Sequence, residues 1–225
     1  MSRRVLLGIA ALVLAALACQ ALSLPPAVTN RVVGSGKDAS EARQVDGEFT
    51  SVQLDGSADV NILLTTVQSV NVESDDNIVP LVETKVVNGK LIVNMKPGVS
   101  YTTTRGVIVT VGIKSLERVT LNGSGKMQVA NMSGPELAIE LPGSGHIEAE
   151  GKVDHVSITV AGSGDVVANQ LKAHTADVTL LGSGNISLFA DQSLQANLAG
   201  SGNIRYEGNP PQVTKNVTGS GDITP

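Results

Sequence analysis

From about residue 116 to the end of the chain, apolar and polar residues alternate in blocks, and each block is separated from the next by Gly-Ser-Gly. The tripeptide returns six times in the C-terminal half, starting at Gly123, Gly143, Gly162, Gly182, Gly200 and Gly219, in steps of 20, 19, 20, 18 and 19 residues. Aligned on that first glycine, the blocks form aliphatic columns. Two positions before it stand Leu121, Leu141, Val160, Leu180, Leu198 and Val217; four before it stand Val119, Ile139, Ile158, Val178 and Ala196, lapsing to Lys215. Four positions after it stand Met127, Ile147, Val166, Ile186, Ile204 and Ile223; six after it, Val129, Ala149, Ala168, Leu188 and Tyr206. Apolar residues at every second position, with polar ones between, predict strands with one buried face; a helix would need a spacing of three and four.

A fixed period of this length marks stacked units. The expected fold is therefore all-β: a right-handed parallel β-helix (solenoid) with an N-terminal antiparallel β region, right-handed because parallel crossovers strongly prefer that hand. In this fold each Gly-Ser-Gly is a corner between two strands. Its paired glycines (Gly123 and Gly125, Gly143 and Gly145, Gly162 and Gly164, Gly182 and Gly184, Gly200 and Gly202, Gly219 and Gly221) permit positive φ and close backbone approach. Six repeats at about 4.8 Å spacing would span about 24 Å. The narrow interior suits aliphatic residues, and the chain has no Trp, two Phe and two Tyr.

A degraded copy, Val52-x-Leu54-x-Gly56-Ser57-Ala58-Asp59-Val60-x-Ile62, fills the same columns 67 residues before Gly123. The stretch between predicts longer strands at Val60–Thr66, Ser69–Glu73, Leu91–Met95 and Val107–Ile113. Asn88-Gly89 predicts a type I′ hairpin, and hairpins here would cover the exposed edge of the first coil. At the far end, Pro210-Pro211 and Lys215 predict a last coil that is partly open to water.

Residues 1–22 read as a signal peptide, with Arg3-Arg4 ahead of an apolar run from Val5 to Ala18 that is too short for a comfortable span of about 20 residues. It ends Ala16-Leu17-Ala18-Cys19, which admits a lipobox with lipidation at Cys19 or an ordinary A-x-A cleavage site. A lone cysteine at that place favours lipidation, although Leu17 is an imperfect lipobox residue. Residues 23–44, with Pro25-Pro26, read as a tether, and residues 45–225 as one domain. Without Cys19 no thiol remains for a disulfide or a zinc site. A net charge of −5 with scattered acids and no basic stripe argues against nucleic acid.

The phrase Phe49-x-x-Val52-x-Leu54-x-Gly56-Ser57-Ala58-Asp59-Val60 resembles the start of the putative auto-transporter adhesin family with a head GIN domain. Asp75-Asp76-Asn77-Ile78-Val79-Pro80-x-Val82-Glu83-Thr84 and Leu116-Glu117-x-Val119 continue the resemblance. Tyr206-x-Gly208-Asn209-Pro210, closing on Gly219-Ser220-Gly221-Asp222-Ile223, is its most specific part. It covers about residues 45–224. The resemblance implies a right-handed β-helix, secreted or lipid-anchored in bacteria, and carries over no catalytic or binding residue.

Candidate chemistry is sparse. Asp165, Asn185, Asn203 and Asp222 follow Gly-Ser-Gly as in calcium-binding nonapeptide rolls, but those recur about every nine residues, and Lys126 and His146 share the column. His146, His155 and His174 read as solvated, because the last two differ by one position in their offset from the next glycine. Six copies of Gly-Ser-Gly argue for corners over a nucleophile elbow. Asp154, Asp165, Asp177 and Asp191 are too scattered for a glycosidase pair, and Thr102-Thr103-Thr104 with Gly106 reads as a mobile loop. The expected function is a non-enzymatic cell-envelope module for adhesion or surface contact, with no cofactor and no metal. Its partner would be a protein or glycan at a surface, with homo-oligomers as an alternative through open coil ends or flat faces, and with membrane contact only through the N-terminal lipid. A carbohydrate-active enzyme is a third reading.

Overall fold

The computed structural model describes residues 30–225; the expected signal peptide, residues 1–22, and Cys19 lie outside the described residues. The described chain is all-β, with no α-helix and one short 3₁₀ turn at Val79–Leu81. Its first strands are β1 (Asn30–Val33), β2 (Asp38–Arg43), β3 (Ser51–Gly56), β4 (Asp59–Leu64), β5 (Ser69–Asp75), β6 (Val82–Val87), β7 (Lys90–Met95), β8 (Val99–Thr102), β9 (Ile108–Ile113) and β10 (Arg118–Gly123). Then come the four longest, β11 (Lys126–Leu141), β12 (His146–Val160), β13 (Asp165–Gly182) and β14 (Asn185–Gly200), followed by β15 (Asn203–Glu207), β16 (Gln212–Gly219) and β17 (Ile223–Thr224). Fifteen strands join one large, mostly parallel sheet, and β1 with β8 makes a separate parallel pair.

Each long strand pairs in parallel with the next along nearly its whole length, one repeat out of register in sequence: Ile139 opposes Ile158, Ile158 opposes Val178, and Val178 opposes Ala196. The periodic columns are thereby stacked side by side. Leu121, Leu141, Val160 and Leu180 are fully buried, as are Met127, Ile147 and Ile204, and all belong to a single hydrophobic cluster. Burial of each such side chain contributes about 1.5–3 kcal/mol. The pairing slips between Val129 and Met132 in β11 and between Glu148 and Glu150 in β12;. A bulge bends its strand locally and leaves no clear period in the sequence.

The N-terminal part departs from simple sequential stacking. β3 lies between β7 and β10, parallel to both, and β4 lies between β9 and β11, also parallel to both. The layer β3–β4 is thus wedged between β7 and β9, which follow it in the chain, and the first complete repeat. Antiparallel strands close the outer edge: β6 on β7, β5 on β9, and β2 on β5. The Asn88-Gly89 hairpin joins β6 to β7, with φ of 51° and 73° at its two central residues. Both signs match the type I′ turn that the dipeptide predicts.

The expected tether, residues 23–44, differs from the structure in its described part. Asn30–Val33 pairs with β8 and Asp38–Arg43 with β5. Few large apolar residues are needed there, because backbone pairing and polar side chains hold the segment.

Candidate functional site

At every corner the serine is exposed and the second glycine (Gly125, Gly145, Gly164, Gly184, Gly202 and Gly221) is buried, while the first is half-buried except at Gly219, which is exposed. A Cβ on Gly123, Gly143, Gly162, Gly182, Gly200 or Gly219 would fall on the backbone of the first glycine in the neighbouring layer. A Cβ on the second glycine would strike the layer below it in the same way. The serine amides bond across that gap, Ser144 N–H to Gly123 O at 2.9 Å and Ser183 N–H to Gly162 O at 3.0 Å. Close approach is therefore the general reason for glycine. Positive φ applies only to the later first glycines, such as Gly182 at 147° and Gly200 at 148°.

The residues after the corners hydrogen-bond to one another. Asn185 donates from its side chain to Asp165 at 2.9 Å, Asn203 to Asn185 at 3.2 Å, and the Asp222 amide to Asn203 at 3.3 Å. This is a ladder of internal bonds. Among the described residues no group of three or more His, Cys, Asp or Glu is placed to hold a metal. Register separates the two spaced histidines: His155 opposes Thr175 and bonds to its hydroxyl at 2.8 Å, whereas His174 bonds to Asp191 at 2.9 Å. The Asp191 carboxylate, by hydrogen bond and charge, raises the pKa of the exposed His174. Asp165 and Asp191 are thus tied to Asn185 and His174, and Asp177 lies 3.7 Å from His155.

Asp75 is buried at 1% exposure. It accepts the Gly36 amide at 2.8 Å and the Thr103 hydroxyl, with Arg105 Nε at 3.7 Å. Asn77 accepts the Ser35 amide at 2.9 Å and donates to Val33 O at 2.8 Å. The Asp75-Asp76-Asn77 phrase is accordingly a clamp on an N-terminal Gly34-Ser35-Gly36 loop. The loop at Thr102–Thr104, expected to be mobile, is held by this clamp and by Arg31, which donates to Thr102 at 3.0 Å.

A concavity with convergent polar groups and a volume of about 590 Å³ lies on the outer surface of β9, β4, β11, β12 and β13. Register aligns one outward row across it, Thr110, Asn61, Gln128, Glu148 and Val167. Leu63 opposes Ala130 in a second row, and Glu150 opposes Gln170. The register slips of β11 and β12 fall beside these rows, and a bulge bends its strand and increases the local twist. Glu148 accepts from Lys126 and His146, each at 3.0 Å, and from Gln128 at 2.6 Å. The Lys126 ammonium is the foremost reason, with the Gln128 amide, that its pKa falls to about 2. No sequence motif marks this trough, because its lining is drawn from five strands between Asn61 and Gln170.

A family model matches residues 48–210, described as putative auto-transporter adhesin, head GIN domain. The chain belongs to that family. Its fold is shared with a putative adhesin from Bacteroides fragilis at TM-score 0.72, with 21% identity over 86% of this chain and 99% of that one. A putative lipid binding protein from Parabacteroides distasonis is similar at TM-score 0.52, with 26% identity over 87% and 99% of the two chains. A putative adhesin from Parabacteroides merdae is similar at TM-score 0.51, with 21% identity over 87% and 98%. No curated protein matches the chain. Among the described residues no helix is long and apolar enough to cross a membrane.

Proposed function

We propose that this head GIN family chain is a non-enzymatic adhesion or surface-contact module of the cell envelope, built as a right-handed β-helix. The observation that carries the reading is the stack of long parallel strands, paired in register from β10 to β16, which offers rigid outer faces while the apolar side chains are consumed inside. Family membership supports adhesion. The ties of Asp165 to Asn185 and of Asp191 to His174 support the absence of catalysis, since glycoside hydrolysis needs two carboxylates free to act at a set distance. In this reading residues 1–22 direct export, lipidated Cys19 anchors the chain, and the residues between Cys19 and β1 hold the domain off the membrane.

The test is capture of the purified full chain on envelope fractions and on host-surface glycoproteins. Saturable capture is expected, and none across the whole panel would overturn the reading. The anchor is checked in parallel: Cys19→Ser is expected to move the protein from the membrane pellet to the soluble fraction. An unchanged distribution would remove the lipid from the proposal.

A further inference from the structure

We propose that the trough across β9, β4, β11, β12 and β13 binds an uncharged glycan chain lying across the strands. The inference rests on the adhesion reading and assigns its partner class and its place on the molecule. Five strands at about 4.8 Å spacing give the trough a length of about 19 Å, enough for several linked sugars. The floor is aliphatic, from Leu63, Ala130 and Val167, and Leu63 and Val167 are exposed at 37% and 36%. Amides of Asn61, Gln128, Asn169 and Gln170 stand around it. Among the described residues the side chains of Asn61, Asn169 and Gln170 make no hydrogen bond to the protein, and Gln128 uses only its Nε2. A side-chain amide both donates and accepts, as a sugar hydroxyl does, while an aliphatic floor suits the C–H faces of a sugar ring.

Other partners fit less well. An extended peptide gains affinity by adding to a free sheet edge, but β4, β11, β12 and β13 are each paired on both sides. An acidic polymer needs free cations. No Lys or Arg lines the trough, and the neighbouring Lys126 is held by Glu148. An acyl chain would cover the amides without offering them a partner. The remaining carboxylate, Glu150, is exposed at the rim, where a single charge contributes little.

The experiment titrates the full chain, followed by backbone amide NMR, with cellotetraose, chitotetraose, maltotetraose, xylotetraose and mannotetraose. A heparin tetrasaccharide, an alanine-rich peptide and dodecanoate serve as contrasts. At least one neutral tetrasaccharide is expected to shift the resonances of Gln128, Ala130 and Glu150 at millimolar concentration. Ala130→Arg, which fills the floor, and Gln170→Ala, whose side chain has no protein partner, are each expected to weaken that binding by about tenfold or more (about 1.4 kcal/mol per tenfold). Both variants should keep the parent melting temperature. The proposal is overturned if no neutral tetrasaccharide moves these resonances, if only a contrast ligand does, or if Ala130→Arg binds like the parent. Ala130→Arg that still attaches to envelope fractions, with glycan binding absent in the parent, would sink the trough and leave the adhesion reading standing.

Discussion

A glycine at a stacked corner is set by what lies next to it. Gly184 is buried, and a Cβ there would meet the Gly164 carbonyl with no flexible side chain available to yield. Gly184→Ala is therefore expected to destabilise the protein by about 1–3 kcal/mol, the range of forced overpacking. Ser183→Ala, at an exposed position, should stay within about 0.5 kcal/mol. Equal denaturant midpoints for the two variants would remove the close-approach argument. Titration belongs to the same scale. Glu148 has its pKa lowered from 4.5 to about 2 by Lys126 and Gln128, so its contribution to stability is present above about pH 4.5 and lost as pH falls through 2. Glu148→Gln should flatten that part of the stability curve, and an unaltered acid limb would count against the network. His174 has the opposite sign: Asp191 raises its pKa, so its contribution is full below its ordinary pKa and fades as pH rises through the raised one.

Strand edges decide how this molecule behaves toward copies of itself. β16 is exposed along all eight residues and pairs only with β14 among the described strands. Its core-facing column carries Lys215 where the neighbouring strand has the buried Ala196. The Lys215 ammonium donates to Ile223 O at 3.0 Å and stands 4.7 Å from the Tyr206 ring centre. An inward-pointing charge on an edge strand is a known means of blocking edge-to-edge pairing. Lys215→Ile would complete the apolar column and is expected to increase association with concentration relative to the parent, as read by sedimentation velocity. The same sedimentation for both chains would mean that the lysine has no such role. This device also weakens the idea of self-assembly through the open end of the stack, although it leaves the flat lateral faces untouched.

At the level of the whole molecule, the C-terminal half was legible because each strand's neighbour is one period away. The columns from Val119 to Ala196 and from Met127 to Ile204 are buried as their alternation predicts, and Lys215 marks an open last layer. The N-terminal half follows no period. Val52 is paired with both Leu91 and Val119, distances in sequence set by topology. β1 and β2 give no signal in the sequence because they are held by pairing with distant β8 and β5 and by the bonds of Asp75 and Asn77 to the loop between them. The trough is invisible for a related reason: its lining runs from Asn61 to Gln170 and is brought together only by strand pairing. Family membership and the all-β, mostly parallel architecture are legible in the chain, whereas the concave surface depends on how distant strands pair.

The wedged layer carries a consequence for how the chain comes together in time. β3 and β4 are made early, yet their second neighbours, β10 and the start of β11, arrive only after β5 to β9 have been laid down. A polypeptide that appears N-terminus first must keep a slot open beside its oldest strands until the first true repeat docks there. Long-range closure of this kind is slow. Once that slot is filled, every later layer has a finished template and needs only the preceding one, so assembly passes from a hesitant start to steady growth.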